Sequence, residues 1–195
     1  EADSDNAVDG DNPRQATTLS NFTFLHSSPG NSDQAAILLR GGTDYTLVNG
    51  ILVTNPANPC LRISRAQTAS TTANPAIDEL GAPVFRSVVM QCGSPKYIGS
   101  NGVTDAEVAA IFGTGSNNND DAYTPTLTSL FINGANETAV TAFDAKTLNA
   151  FFDTTTYIGA VRDANDTWYA GWTCNSPTAD FGTGNSGLCT SLPTT

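Results

Sequence analysis

The sequence predicts an all-β fold, a right-handed parallel β-helix (solenoid) with a C-terminal cap and one or two short helices. Two observations lead there first. A strand-shaped phrase recurs along the chain, and Thr, Asn, Ser and Gly supply the polarity that Glu and Lys supply in helical proteins, only 14% of the 195 residues being charged. A third is that short apolar runs are separated by Gly, Asn and Pro, as in a coil of stacked strands.

The repeat begins with Thr18-Leu-Ser-Asn-Phe-Thr-Phe24 and Thr46-Leu-Val-Asn-Gly-Ile-Leu-Val53, which share a Thr-Leu-x-Asn start before an apolar run. Val84-Phe-Arg-Ser-Val-Val-Met90 and Thr126-Leu-Thr-Ser-Leu-Phe-Ile132 repeat the shape with Ser for Asn. Asn21, Asn49, Ser87 and Ser129 are thus spaced at intervals of 28, 38 and 42 residues, a drift that loops of unequal length explain. Asn21 and Asn49 are expected at strand corners, bonding the backbone of the next rung. Ala36-Ile-Leu-Leu39 and Cys60-Leu-Arg-Ile63 add a second short strand per repeat. A β-sandwich is the structural alternative, since it too is built of many short strands.

Thr104-Asp-Ala-Glu-Val-Ala-Ala-Ile-Phe112 reads as a helix, with Thr104 as N-cap, Glu107 completing a capping box and Val108, Ile111 and Phe112 on one face. A further helical turn is expected within 142–152, and 113–121 reads as a surface loop. Two regions follow: strand rungs with loops and the helix over 1–150, and an aromatic, disulfide-bearing cap over 151–195.

The four cysteines, Cys60, Cys92, Cys174 and Cys189, lack the C-x-x-C spacing of zinc or redox motifs. Their even number in an acidic, Thr-rich chain implies disulfides and an extracellular or outer-surface location. Three pairings exist in principle; local closure favours Cys60 with Cys92 and Cys174 with Cys189. A net charge of −11 disfavours nucleic acid and anionic membranes. No run approaches the ~18 apolar residues of a membrane-spanning helix. The opening Glu1-Ala2-Asp3-Ser4-Asp5 reads as an internal stretch.

The tail reads Phe151-Phe-Asp-Thr-Thr-Thr-Tyr-Ile-Gly-Ala160, then Trp168-Tyr-Ala-Gly-Trp-Thr173. It resembles the closing signature of a family of bacterial secreted proteins and lipoproteins labelled as parallel β-helix repeat proteins. Ile37-Leu-Leu-Arg-Gly-Gly-Thr43, Val48-Asn-Gly-Ile51 and Cys60-Leu-Arg-Ile63 extend the resemblance over nearly the whole chain. It implies the fold, the location and further rungs upstream; it brings no catalytic residues. Tyr157, Trp168 and Trp172 are expected to close the coil, with a sugar-stacking platform as the alternative role.

No catalytic set emerges, and an enzyme is the less favoured reading. The acidic residues fall in turn-like stretches without the facing pair that a hydrolase needs. Arg40, Arg62, Arg65 and Arg86 are the candidate bases for a lyase; Arg62 and Arg86 fall within strand-like runs, where outward ladder or ion-pair roles are expected instead. His26 has no nucleophile motif beside it. Asp3, Asp5, Asp9 and Asp11 are candidate calcium ligands by their oxygen density, though Ala7 and Val8 break the EF-hand pattern; no other cofactor is expected. Asn21, Asn136 and Asn165 begin N-glycosylation sequons. The function expected is a structural or adhesive surface protein, partnered by upstream rungs or other subunits in a filament or larger complex. The competing class is a carbohydrate-active enzyme or polysaccharide-binding module.

Overall fold

The computed structural model describes residues 1–5, 7, 12–26, 35–177, 180–181 and 187–191. Its strands form in the apolar runs, several of them buried almost throughout, and the chain alternates between two parallel sheets. One sheet holds β1 (Ala2–Asp3), β3 (Ile37–Arg40), β5 (Leu61–Ser64) and β7 (Tyr97–Ser100), in that order. The other holds β2 (Ala16–His26), β4 (Asp44–Thr54) and β6 (Val84–Gln91). From β1 to β5, each strand therefore pairs with the strand two further along the chain, for example Leu39 with Ala2, Leu61 with Ile37 and Tyr97 with Leu61.

The long strands bend at one point. Asn21, Asn49 and Ser87 lie in register on β2, β4 and β6 and take the left-handed conformation, with φ of 55°, 55° and 52°. Asn tolerates that region better than most residues, so the bend falls where the recurring Asn stands. The corners bond a different partner from the one expected: the C-terminal part of the chain rather than the neighbouring strand's backbone. Asn21 Nδ2 donates to Tyr157 O at 2.8 Å, Asn49 Nδ2 to Phe143 O at 2.8 Å and Ser87 Oγ to Thr141 O at 2.8 Å.

Before the bend, Leu47 and Phe85 face the main core; after it, Phe22, Leu52, Val88 and Met90 do. The first sheet answers with Ala2, Ile37, Leu39, Leu61, Ile63 and Tyr97. Phe22 lies across Gly50, where a Cβ would collide with its ring. The opposite face of the bent segment is also buried: Ile51 and Val89 pack on Ile158, so these strands are apolar on both faces.

The expectation of an all-β solenoid is corrected. The parallel strands lie in separate sheets, a third two-stranded sheet forms from β8 (Cys174–Asn175) and β9 (Gly187–Leu188), and helices take part in the core, so the architecture is mixed α/β. Helix α1 spans Ala66–Ala69 and helix α2 spans Asp105–Phe112; α2 carries the Thr104–Glu107 capping box and buries Val108 and Phe112 against the sheets. Helix α3, Ala135–Ala139, follows, and a 3-10 turn at Ala145–Thr147 is what forms within 142–152. The fourth repeat copy is no strand either. Thr128 and Ile132 bond each other across a tight turn whose tip, Ser129 and Leu130, is left-handed at φ 49° and 74°. Beyond α2 the chain lies along the bent strands at Thr141, Phe143, Tyr157 and Ile158.

Candidate functional site

Long-range polar ties first fix the frame on which exposed surfaces can be rigid. Arg14 reaches Asp44 Oδ1 at 3.0 Å and Glu79 Oε2 at 2.6 Å, with Asp44 fully buried and Glu79 nearly so. Leu80 N donates to Asp44 Oδ2 at 2.8 Å and Arg14 N to Glu79 Oε1 at 2.7 Å, so both carboxylates are hydrogen-bonded as well as paired. Glu137, with no exposed surface, accepts from Thr126 N and Oγ1, both at 2.8 Å, from Gly134 N at 2.9 Å and from Tyr123 Oη at 3.1 Å. Burial pushes its pKa up, but these donors outweigh it and hold the carboxyl below the usual range. Asp121 accepts from Tyr97 Oη at 2.7 Å and Lys96 Nζ at 3.2 Å; burial opposes its ionisation, those two donors favour it, and its pKa is lowered. Composition alone hid these carboxylates, because each is made by partners distant in sequence or by backbone N–H groups.

The disulfides are Cys60–Cys92 and Cys174–Cys189, the pairs that local closure favours. The first joins the start of β5 to the end of β6 and so ties the two main sheets together. Disulfides fit a secreted or extracellular protein. Among the described residues no helix is long and apolar enough to cross a membrane.

Asp3 pairs with Arg40 Nε at 2.9 Å, and Asp5 Oδ1 accepts from Ala7 N at 2.7 Å; Asp9 and Asp11 lie outside the described residues. Among the described residues, no three His, Cys, Asp or Glu side chains gather as a metal site would require. The arginines are tied locally: Arg62 Nε to Ser100 Oγ at 3.2 Å, and Arg86 Nη1 to Asn117 Oδ1 at 3.1 Å with its guanidinium over the Phe143 ring. Arg65 forms the left-handed corner before α1. His26 Nδ1 lies 3.3 Å from Asn58 Nδ2, at the end of β2. Of the sequon asparagines, Asn21 is bound at its corner and Asn136 Nδ2 donates to Thr124 O, whereas Asn165 lies exposed in a turn.

Two surfaces remain. The outer edge of β6 is occupied by the 117–120 loop: Ser87 N donates to Asn117 O, Met90 N to Asp120 O and Val88 N to Asn119 Oδ1. Asn119, nearly buried, also donates to Phe85 O and Phe112 O, although 113–121 reads as plain surface loop in sequence. At the opposite edge, among the described residues, no strand pairs with the outer side of β2. A cavity of about 230 Å³ opens there, its lining including Leu19, Phe24, Ile37, Leu39 and Leu47 and, from the N-terminus, Glu1.

The second surface is aromatic. Tyr157 is half-buried, but Trp168 is 60% and Trp172 87% exposed, so the tail's burial is carried by Ile158, Val161 and Tyr169 instead. Burial, helped by the charge of Asp166, raises the Tyr157 pKa. Trp168 borders a cleft of about 310 Å³ with Leu25, Leu130, Phe131 and Tyr169. No protein-family model, curated protein or solved structure matches the chain, so both surfaces are judged on their geometry.

Proposed function

We propose that the protein is an extracellular structural or adhesive surface component that assembles with a second copy of itself along the edge of β2. The observation that carries this reading is the asymmetry between the two sheet ends. The β6 edge is already bonded by the 117–120 loop, whereas the eleven-residue β2 has beside it a cavity lined by apolar side chains apart from Glu1. Proteins normally blunt such edges with charges or proline. β2 reads Ala-Thr-Thr-Leu-Ser-Asn-Phe-Thr-Phe-Leu-His and carries neither.

A second copy fits for a geometric reason. The bend at Asn21 is the central residue of Ala16–His26, so two such strands laid antiparallel bring bend against bend and cavity against cavity. With the β6 edge occupied, this pairing is head to head and closed, not an open filament. The disulfides support the extracellular setting, as does the tail's resemblance to bacterial secreted proteins and lipoproteins.

Sedimentation velocity from micromolar to submillimolar concentration tests the reading. A reversible dimer is expected, and Phe24→Asp, which sets a charge at the cavity, should return it to monomer. A wild-type protein that stays monomeric throughout, or a dimer indifferent to Phe24→Asp, refutes it.

A further inference from the structure

We propose that the cleft beside Trp168 binds one uncharged pyranose ring of a neutral glycan, the sugar stacking on the Trp168 indole. The cleft takes Thr23 and Leu25 from β2 but shares no residue with the cavity at that strand's edge, and it selects Trp168 from the tail aromatics, since neither Tyr157 nor Trp172 lines the cleft.

The first ground is that Trp168 is exposed and yet held. Its indole Nε1 donates to Ala160 O at 2.8 Å, eight residues back, which fixes the plane of a ring that is 60% exposed. With its only donor satisfied within the protein, the side chain offers a ligand its face and nothing else. A rigid apolar face suits the flat C–H surface of a pyranose, and holding it in place beforehand reduces the ordering cost of binding.

The second ground is the construction of the cleft. Its volume of about 310 Å³ is at the lower end of ligand sites, roughly 300–1,000 Å³. Its floor is a packed aromatic cluster, Phe131 standing edge-on to Tyr169 at 5.0 Å between ring centroids and 4.6 Å from Phe181. Leu130 is set at the rim, 49% exposed, by a left-handed backbone at φ 74° that a leucine rarely adopts. The fold thus holds an apolar side chain outward at a strained position instead of burying it.

The third ground is charge. Among the described residues, none that lines the cleft is ionisable as an acid or base near neutral pH, in a chain of net charge −11. Such surroundings repel uronates and other anionic sugars, and no carboxylate is among the described lining residues to attract a cation. Polar capacity at the rim comes from hydroxyls: Thr23 Oγ1 accepts from Ala160 N at 3.0 Å and keeps its own O–H for a second partner. Apolar walls with sparse hydroxyls match a neutral sugar, whose faces are apolar and whose edges are hydroxylated.

The test is titration calorimetry of the intact, disulfide-bonded protein against cellohexaose, xylohexaose, mannohexaose and maltohexaose, with hexagalacturonate as the charged counterpart. At least one neutral hexasaccharide is expected to bind and the uronate not. Trp168→Ala should weaken that binding about tenfold or more, the loss of one stacking contact. Trp172→Ala, which alters an 87% exposed ring outside the cleft, should leave it unchanged. If Trp168→Ala does not fold, Leu25→Asp carries the test: Leu25 is 41% exposed, and a charge there should abolish binding while the melting temperature holds. Silence from all four neutral sugars, tighter binding of the uronate, or binding unaffected by the variant in hand overturns the proposal.

Discussion

Replacing Asn49 by alanine probes the column of corner residues most directly. Asn49 is fully buried at φ 55°; its Nδ2 donates to Phe143 O at 2.8 Å and its Oδ1 accepts from Phe143 N at 2.7 Å. Alanine loses both bonds, at about 1 kcal/mol each where the abandoned backbone partners reach some water. It must also hold a left-handed backbone, at roughly 1–2 kcal/mol. The sum is about 3–4 kcal/mol, a large part of the 5–15 kcal/mol typical of a domain. Glycine at the same place loses the bonds but not the backbone freedom, so Asn49→Gly should cost about 1 kcal/mol less than Asn49→Ala. Urea unfolding followed by circular dichroism measures both, read as midpoint shifts at unchanged slope. An alanine variant within 1 kcal/mol of wild type, or a glycine variant less stable than alanine, would refute the claim that bend and docking bonds are one device.

Other expectations follow from the same frame. Gly159, at φ 79°, donates its N–H to Asn49 O, and a Cβ there would press on Ile51 Cδ1 and Asn133 Oδ1; Gly159→Ala should raise hydrogen exchange across 141–160 while β4 stays protected. Removing Cys60–Cys92, which closes 32 residues of chain, should cost about 3–4 kcal/mol on the chain-entropy account, read as a lowered melting temperature in Cys60→Ser/Cys92→Ser. Glu137 has a folded pKa below its unfolded value, so its contribution is present above the unfolded pKa of about 4.3 and is lost as pH falls through the folded pKa. Acid unfolding should therefore be blunted in Glu137→Gln relative to its own neutral stability, and parallel pH–stability curves for variant and wild type would count against the role given to the carboxylate.

The legible parts are those whose physics is local. A capping box is complete within four residues, and Thr104 and Glu107 announce α2 with no help from elsewhere. The corner column was visible as a recurring Asn or Ser before an apolar run, because a left-handed residue in a strand leaves few choices of side chain. Ser129 shows the limit: it keeps the left-handed backbone of its counterparts, but its phrase closes on itself as a turn, Thr128 bridging Ile132, while Ile132 bridges parallel to Val161. Close spacing in sequence also favoured the disulfide pairs found.

By itself, then, the sequence determined the parallel-pairing short strands, their bend points, one capped helix and the oxidising chemistry of the cysteines. Tertiary structure alone decided that these strands divide into separate sheets with helices in the core, and that 123–160 lies along their outer face. It alone brought Arg14 to Asp44 and Glu79, buried Glu137 among four donors, and left Trp168 standing over a cleft instead of filling a core. The reason is physical: periodicity and capping act between near neighbours, whereas burial depends on which distant surface arrives to cover a side chain, and an apolar run reads the same whether or not anything does.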